Sequence, residues 1–235
     1  MKVNYLKILI ILFIIFLLIL GFLFYTRKIW FVYPDKNIYP VDGLDISHHQ
    51  GEIDWGKVDK KYQFVFIKAT EGDDFIDKRF YENVEGVKNT QRILGAYHFF
   101  HFNYGGLEQA NNYINTVGNI IDLPPVVDFE FTGNPKKYNK QNISNELKIC
   151  IDTLEKHYGY KVILYVTKDA YKHFGENNFD NPIWYRSIIF PVNKDVKNVL
   201  FWQYHNSAII EGINTKVDLN VFKGDILELK KLIMR

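Results

Sequence analysis

The sequence predicts an α/β barrel of eight strands with a reduced set of helices, preceded by one transmembrane helix. Three observations lead there. Apolar strand-like runs recur eight times, helical patterns fill several of the gaps between them, and an uncharged apolar run stands near the N-terminus. Strands alternating with helices are the pattern of a parallel sheet covered by its own crossovers.

Residues 8–25 contain no charged side chain. As a helix they would reach about 27 Å, close to the hydrocarbon thickness of a bilayer. Lys2 and Lys7 precede the run and Arg27 and Lys28 follow it, so flanking charge does little to set its orientation. The run is longer than a signal peptide's apolar region and no small-x-small cleavage site follows. Both points favour an uncleaved anchor over a removed signal. The chain thus divides into a tail over 1–7, an anchor over 8–25, a linker over 26–40 with Tyr33-Pro34 and Tyr39-Pro40, and a barrel domain over 41–235.

The strands are expected over 43–47, 64–69, 94–100, 125–130, 161–166, 183–187, 200–204 and 217–221. Helical spacing of apolar residues marks 81–90, 108–118 and 144–158, and 223–235 reads as a closing helix. The last connections are too short for full helices. Cys150, the single cysteine, excludes an intramolecular disulfide and falls in a helical pattern as a small core residue.

The chain has 29 basic and 27 acidic residues, but its first 28 residues hold four of the basic ones and no acid. What remains is 25 basic against 27 acidic, a net charge of −2, which is no footprint for nucleic acid. No phosphate-binding glycine loop, zinc spacing or internal repeat is visible, and no cofactor is implied. His48 and His49 lack a spaced ligand partner and read as loop hydrogen-bonding residues rather than a metal site.

The chemistry concentrates in Val126-Val127-Asp128-Phe129-Glu130-Phe131, bracketed by Pro124-Pro125 and Thr132-Gly133-Asn134-Pro135. Side chains alternate on a strand, so Asp128 and Glu130 face the same way. An otherwise apolar strand is normally covered on both faces, so two acids there carry a heavy desolvation cost. Two charges about 5.5 Å apart at an effective dielectric near 20 repel by roughly 3 kcal/mol, enough to hold one acid protonated near neutrality. Glycoside hydrolysis uses such a pair, one acid to protonate the leaving oxygen and one ionised partner. The hexapeptide alone is equally compatible with turn capping, pairing to Lys or Arg, or a divalent cation. Polar residues also gather at the other strand ends: Asp45 with Ser47, His48, His49 and Gln50; Lys68 with Glu71; His98 with His101; Tyr165 with Thr167; Gln203 with Tyr204; and Asp218 with Asn220. In barrels of this kind the chemistry sits at those ends.

From about residue 41 to 229 the ordered motifs resemble family 25 glycoside hydrolases, the Chalaropsis-type lysozymes. Asp42-Gly43-Leu44-Asp45-Ile46-Ser47-His48-His49-Gln50-Gly51 is similar to the family's opening strand, and Ile53-Asp54-Trp55-Gly56-Lys57-Val58 to its first helix. Phe64-Val65-Phe66-Ile67-Lys68-Ala69-Thr70-Glu71-Gly72 and Gly95-Ala96-Tyr97-His98-Phe99-Phe100 resemble the second and third strands. Val127-Asp128-Phe129-Glu130 carries the signature Asp-x-Glu, and Trp202-Gln203-Tyr204 and Val217-Asp218-Leu219-Asn220 match the closing strands. The resemblance implies a flattened TIM-like barrel and retaining hydrolysis of the β-1,4 bond between N-acetylmuramic acid and N-acetylglucosamine in peptidoglycan glycan strands. It implies Glu130 as general acid/base, and Asp128 as nucleophile or as the residue orienting the substrate's own acetamido group. Asp45 and Asp218 would tune that pair. Tyr97, Tyr165, Trp184, Trp202, Tyr204 and Glu71 are the expected substrate-binding residues.

One departure is visible: many members carry Trp-x-Ala where this chain reads Trp184-Tyr185-Arg186. Arg186 would contact substrate carboxylates or sit in an ion pair on the barrel. The implied location is the cell membrane, single-pass, with the catalytic domain extracytoplasmic, or secreted if the N-terminal segment is cleaved. The implied role is cell-wall turnover or lysis. Two other readings compete, a glycan-binding module without turnover and a metal-dependent deacetylase on the same barrel.

Overall fold

A computed structural model of the chain describes residues 5–131, 139–175 and 180–235. Residues 1–4 of the expected tail and the turn read at Thr132-Gly133-Asn134-Pro135 lie outside the described residues. The chain forms two compact units, one ending at Phe31 and the other beginning at Val32. The first contains helix α1, Tyr5–Tyr25, 21 residues with a mean hydropathy of 3.3 and no buried side chain. Its length and composition suffice to cross a bilayer. The second half of the expected linker belongs to the second unit. There Lys36 pairs with Asp42 at 2.6 Å, Ile38 accepts from the Gly224 amide, and Tyr39 packs on Trp202.

The second unit is a closed barrel. Its strands are β1 (Val41–Ile46), β2 (Tyr62–Glu71), β3 (Phe75–Ile76), β4 (Ile93–Phe99), β5 (Val126–Phe129), β6 (Ile163–Thr167), β7 (Ile183–Arg186), β8 (Val199–Ala208) and β9 (Val217–Phe222). The sheet runs β1-β9-β8-β7-β6-β5-β4-β2-β3, and pairing of β1 with β2 closes eight strands into a ring. The two-residue β3 only extends β2 at its edge. Strands β1 to β8 of the ring run parallel, whereas β9 is antiparallel to both β8 and β1. A wholly parallel sheet was expected. The eight residues between β8 and β9 are too few for the crossover that a parallel partner needs, so the chain turns back directly.

The helices are α2 (Phe80–Lys88), α3 (Gly106–Val117), α4 (Lys140–Tyr158), the short α5 (Lys168–Ala170) running into a π turn over Tyr171–Gly175, and α6 (Ile226–Lys230). Asn139 caps the start of α4 through its side chain, and Gly159 ends it in the left-handed conformation. Cys150 is buried on the inner side of α4 with Leu147 and Leu154. Two expected helices differ. The closing helix is only α6, because Leu229 is its one buried apolar anchor. The stretch 53–58 is a turn held by an Ile53–Ile213 bridge and by the Asp54 amide donating to Gly212.

The barrel interior explains the glycines of β1 and β4. Phe64, Phe66, Trp184, Phe201 and Phe222 fill it, with Phe66 stacked on Trp184 at 4.5 Å between centroids. A Cβ on Gly43 would stand 2.3 Å from the Phe64 ring, and one on Gly95 2.4 Å from the Phe66 ring. Because Phe66 is wedged against Trp184, it has nowhere to retreat. Gly95→Ala is therefore expected to destabilise the barrel by about 1–3 kcal/mol through overpacking. Urea unfolding measures it, and a change within about 0.5 kcal/mol would mean the ring is free to move.

Candidate active site

The mouth of the barrel, at the C-terminal ends of the parallel strands, holds a cavity of about 230 Å³ lined by the acids Asp45, Asp128, Glu130 and Asp218. Strand alternation delivers them. Residues 126, 128 and 130 point inward from β5 and its exit, as do 41, 43 and 45 on β1. Antiparallel β9 brings Asp218 in from its start, directly opposite Asp45 in register. Ser47, His49, Lys68, Tyr97, Phe99, Tyr165, Trp184 and Gln203 complete the lining. Larger depressions of about 750 and 930 Å³ open around Trp55 and Arg92 and around Glu52 and Glu211, but neither gathers inward-facing acids.

The acids are held differently. Asp45 Oδ2 accepts from Asn220 Nδ2 at 2.6 Å and from Gln203 Nε2 at 2.9 Å, and the same Gln203 nitrogen donates to Asp218 Oδ2 at 3.0 Å. Those two amides are themselves oriented. Tyr165 OH donates to Gln203 Oε1 at 3.0 Å, and Trp184 Nε1 donates to Asn220 Oδ1 at 2.8 Å. Asp128, by contrast, keeps Oδ1 buried without a hydrogen-bond partner. A buried orphan acceptor is costly unless a ligand or a proton satisfies it.

Burial pushes Asp45 up to about 6 against the pull of the Asn220 and Gln203 hydrogen bonds. Burial and then Asp45 push Asp218 up to about 8. Burial, then Glu130 and Asp45, hold Asp128 well above the usual carboxylate range. Burial raises Glu130 as well, while Arg186 and then Lys68 oppose the rise. Lys68 is nearly buried, pairs with Glu71 at 2.5 Å and lies over the Phe75 and Phe99 rings. The mouth therefore stores protons at neutral pH, the condition for general acid chemistry.

The expected substrate-binding residues divide. Tyr97, Tyr165 and Trp184 line the cavity. Trp184 has one ring face on Phe66 and its nitrogen on Asn220, so it is a supporting residue as much as a surface for sugar. Trp202 and Tyr204 do not reach the cavity. They alternate with inward-facing Phe201 and Gln203, so they lie on the outer face of β8, where Trp202 meets Tyr39 and donates to the Ser187 carbonyl. Glu71 stands behind Lys68 rather than in the lining. Gln203 and Asn220 were not among the expected site residues. The signal for Asn220 was its place two residues after Asp218 on one strand, whereas Gln203 has no acid on its own strand and showed only as a polar residue at a strand end. His48 is bound to buried Asp77 through its amide at 3.0 Å and through Nδ1 at 2.6 Å, a loop-holding role. Among the described residues no cluster of three His, Cys, Asp or Glu side chains has a metal-holding arrangement.

Residues 44–213 match the family model described as glycosyl hydrolases family 25. The chain belongs to that family. It is 32% identical over 204 residues to the uncharacterized protein YegX of Escherichia coli K12, covering 83% of this chain and 74% of that one. It is 30% identical to lysozyme M1 of Streptomyces globisporus, covering 82% and 71%. The solved structure of a family 25 glycosyl hydrolase from Bacillus anthracis superposes with a TM-score of 0.79 at 39% identity, covering 86% of this chain and 97% of that one. The protein is a glycoside hydrolase with a TIM-like barrel of eight strands.

A family 25 barrel that keeps Asp218 protonated has a definite pH signature. An acid whose folded pKa is raised destabilises the fold as pH climbs from its ordinary value near 4 to its folded value, here about 8. Asp218→Asn should therefore raise the melting temperature at pH 8 and leave it nearly unchanged at pH 4. An equal effect at both pH values would show that the substitution acts through packing. Trp184→Phe keeps the ring but removes the donor to Asn220. It should lower activity by about tenfold, the size of a hydrogen bond in a charged network.

Proposed function

We propose that the protein hydrolyses the β-1,4 bond between N-acetylmuramic acid and N-acetylglucosamine in peptidoglycan. The observation that carries this reading is the pair Asp128 and Glu130, both facing the cavity, both raised by burial and unequal in exposure to solvent. Glu130 is the general acid. It lies at the end of β5, less enclosed than Asp128, and releases a proton to the leaving oxygen before accepting one from water. Asp128 presents an oxygen without a partner, suited to accept the N–H of the substrate's 2-acetamido group. The acetamido oxygen then attacks the anomeric carbon as internal nucleophile, which gives retention of configuration. Asp45, fixed by Gln203 and Asn220, keeps negative charge near the developing cation, and protonated Asp218, held by Gln203, helps to order the attacking water. Tyr97 supports the sugar ring from the cavity wall. The names of relatives such as lysozyme M1 support the choice of substrate.

The N-terminal helix is a single-pass anchor over residues 8–25, which holds the barrel on the extracytoplasmic side of the cell membrane beside its substrate. The tether raises local substrate concentration. The work is cell-wall turnover or lysis.

Glu130→Gln should lower muramidase activity by about 10²–10⁴-fold while the circular dichroism spectrum and melting temperature stay near wild type. Release of new reducing ends from purified peptidoglycan measures it, and activity near that of wild type would refute the assignment. Membrane fractionation of the full-length chain should recover it with the bilayer after a salt wash; recovery as a shortened soluble form would mean that the segment is a removed signal.

A further inference from the structure

We propose that Arg186 forms an anion subsite at the rim of the barrel mouth, where its guanidinium binds a carboxylate borne by the muramyl unit of the glycan. The inference rests on the muramidase reading above and names what distinguishes one sugar of that substrate from the other.

Arg186 is the last residue of β7, in register with Thr167 of β6 and Gln203 of β8. Alternation sets it on the face of Trp184, two residues earlier, and both Trp184 and Gln203 line the cavity. Its charge reaches Asp45, Asp128, Glu130 and Asp218, opposing the rise of each. Yet among the described residues it makes no ion pair within 4.0 Å and no side-chain hydrogen bond, and it is partly buried. Lys68, the other cation facing the acids, is committed to Glu71. Asp45 and Asp218 are committed to the amides of Gln203 and Asn220. A guanidinium with five donors in a fixed fork, left uncommitted beside a substrate cavity, is built for a carboxylate that arrives with the ligand.

Neutral sugar hydroxyls do not call for a full positive charge. The muramyl unit carries a lactyl ether whose carboxyl is free in peptide-free strands and amide-linked in peptide-bearing ones, where the peptide supplies its own carboxylates.

The test measures binding by calorimetry with the full-length chain in detergent, on the turnover-blocked Glu130→Gln background, with and without Arg186→Ala. Three ligands separate the chemistry: peptide-free glycan strands, the same strands with their carboxyls reduced to alcohols, and peptide-bearing strands. Loss of Arg186 should weaken binding to peptide-free strands about tenfold or more and leave the reduced strands within about twofold. Arg186→Lys should recover part of the loss, since charge survives but the fork does not. Weakening confined to peptide-bearing strands would assign the carboxylate to the peptide instead of the lactyl group. Equal weakening on charged and reduced strands, or none on either charged ligand, overturns the subsite. Failure of the wild-type chain to release new reducing ends would overturn the muramidase reading separately, whatever Arg186 does.

Discussion

Crowding four carboxyl groups into the mouth of one small barrel is the constraint to which the rest of the structure answers. Asp45 and Asp218 face each other across β1 and β9, a pairing that would be repulsive if both were ionised. Gln203 resolves it by donating to both at once, and Asn220 adds a second bond to Asp45. The remaining tension is relieved by protons held at raised pKa values. Asp128 and Glu130 share that crowded setting, and burial raises both.

That network also ties the chemistry to the core. Trp184 is the hinge of the arrangement, with its nitrogen on Asn220 and its ring on Phe66. Phe66 in turn requires the bare backbone of Gly95. Orientation of Asp45 thus depends on a chain of contacts that begins at a glycine in β4, and the floor of the cavity is the ceiling of the hydrophobic interior.

Much of this was legible in the sequence. All eight ring strands appear within a few residues of where their apolar runs fall, because each run is short, aromatic or β-branched and bounded by turn residues. The four acids were visible as one set because each lies at a strand end. What could not be read was which face a residue takes. Trp202 and Tyr204 look like sugar-stacking residues until Phe201 and Gln203 claim the interior of β8 and turn them outward. The direction of β9 was likewise hidden, since Val217-Asp218-Leu219-Asn220 reads the same in either sense and only ring closure decides. Gln203 and Asn220 stood out only as polar residues at strand ends, because they carry no charge and their role as donors shows only beside the acids they hold.

The antiparallel final strand has a temporal consequence. Asp218 and Asn220 arrive with the last element that closes the ring, after every other member of the site has been synthesised. A nascent or cleaved chain ending before β9 has an open seam between β8 and β1 and lacks the donor that orients Asp45. The four-acid mouth is therefore complete only once β9 has joined the ring. A product interrupted before β9 carries the Asp-x-Glu pair but lacks Asp218 and the Asn220 donor that holds Asp45.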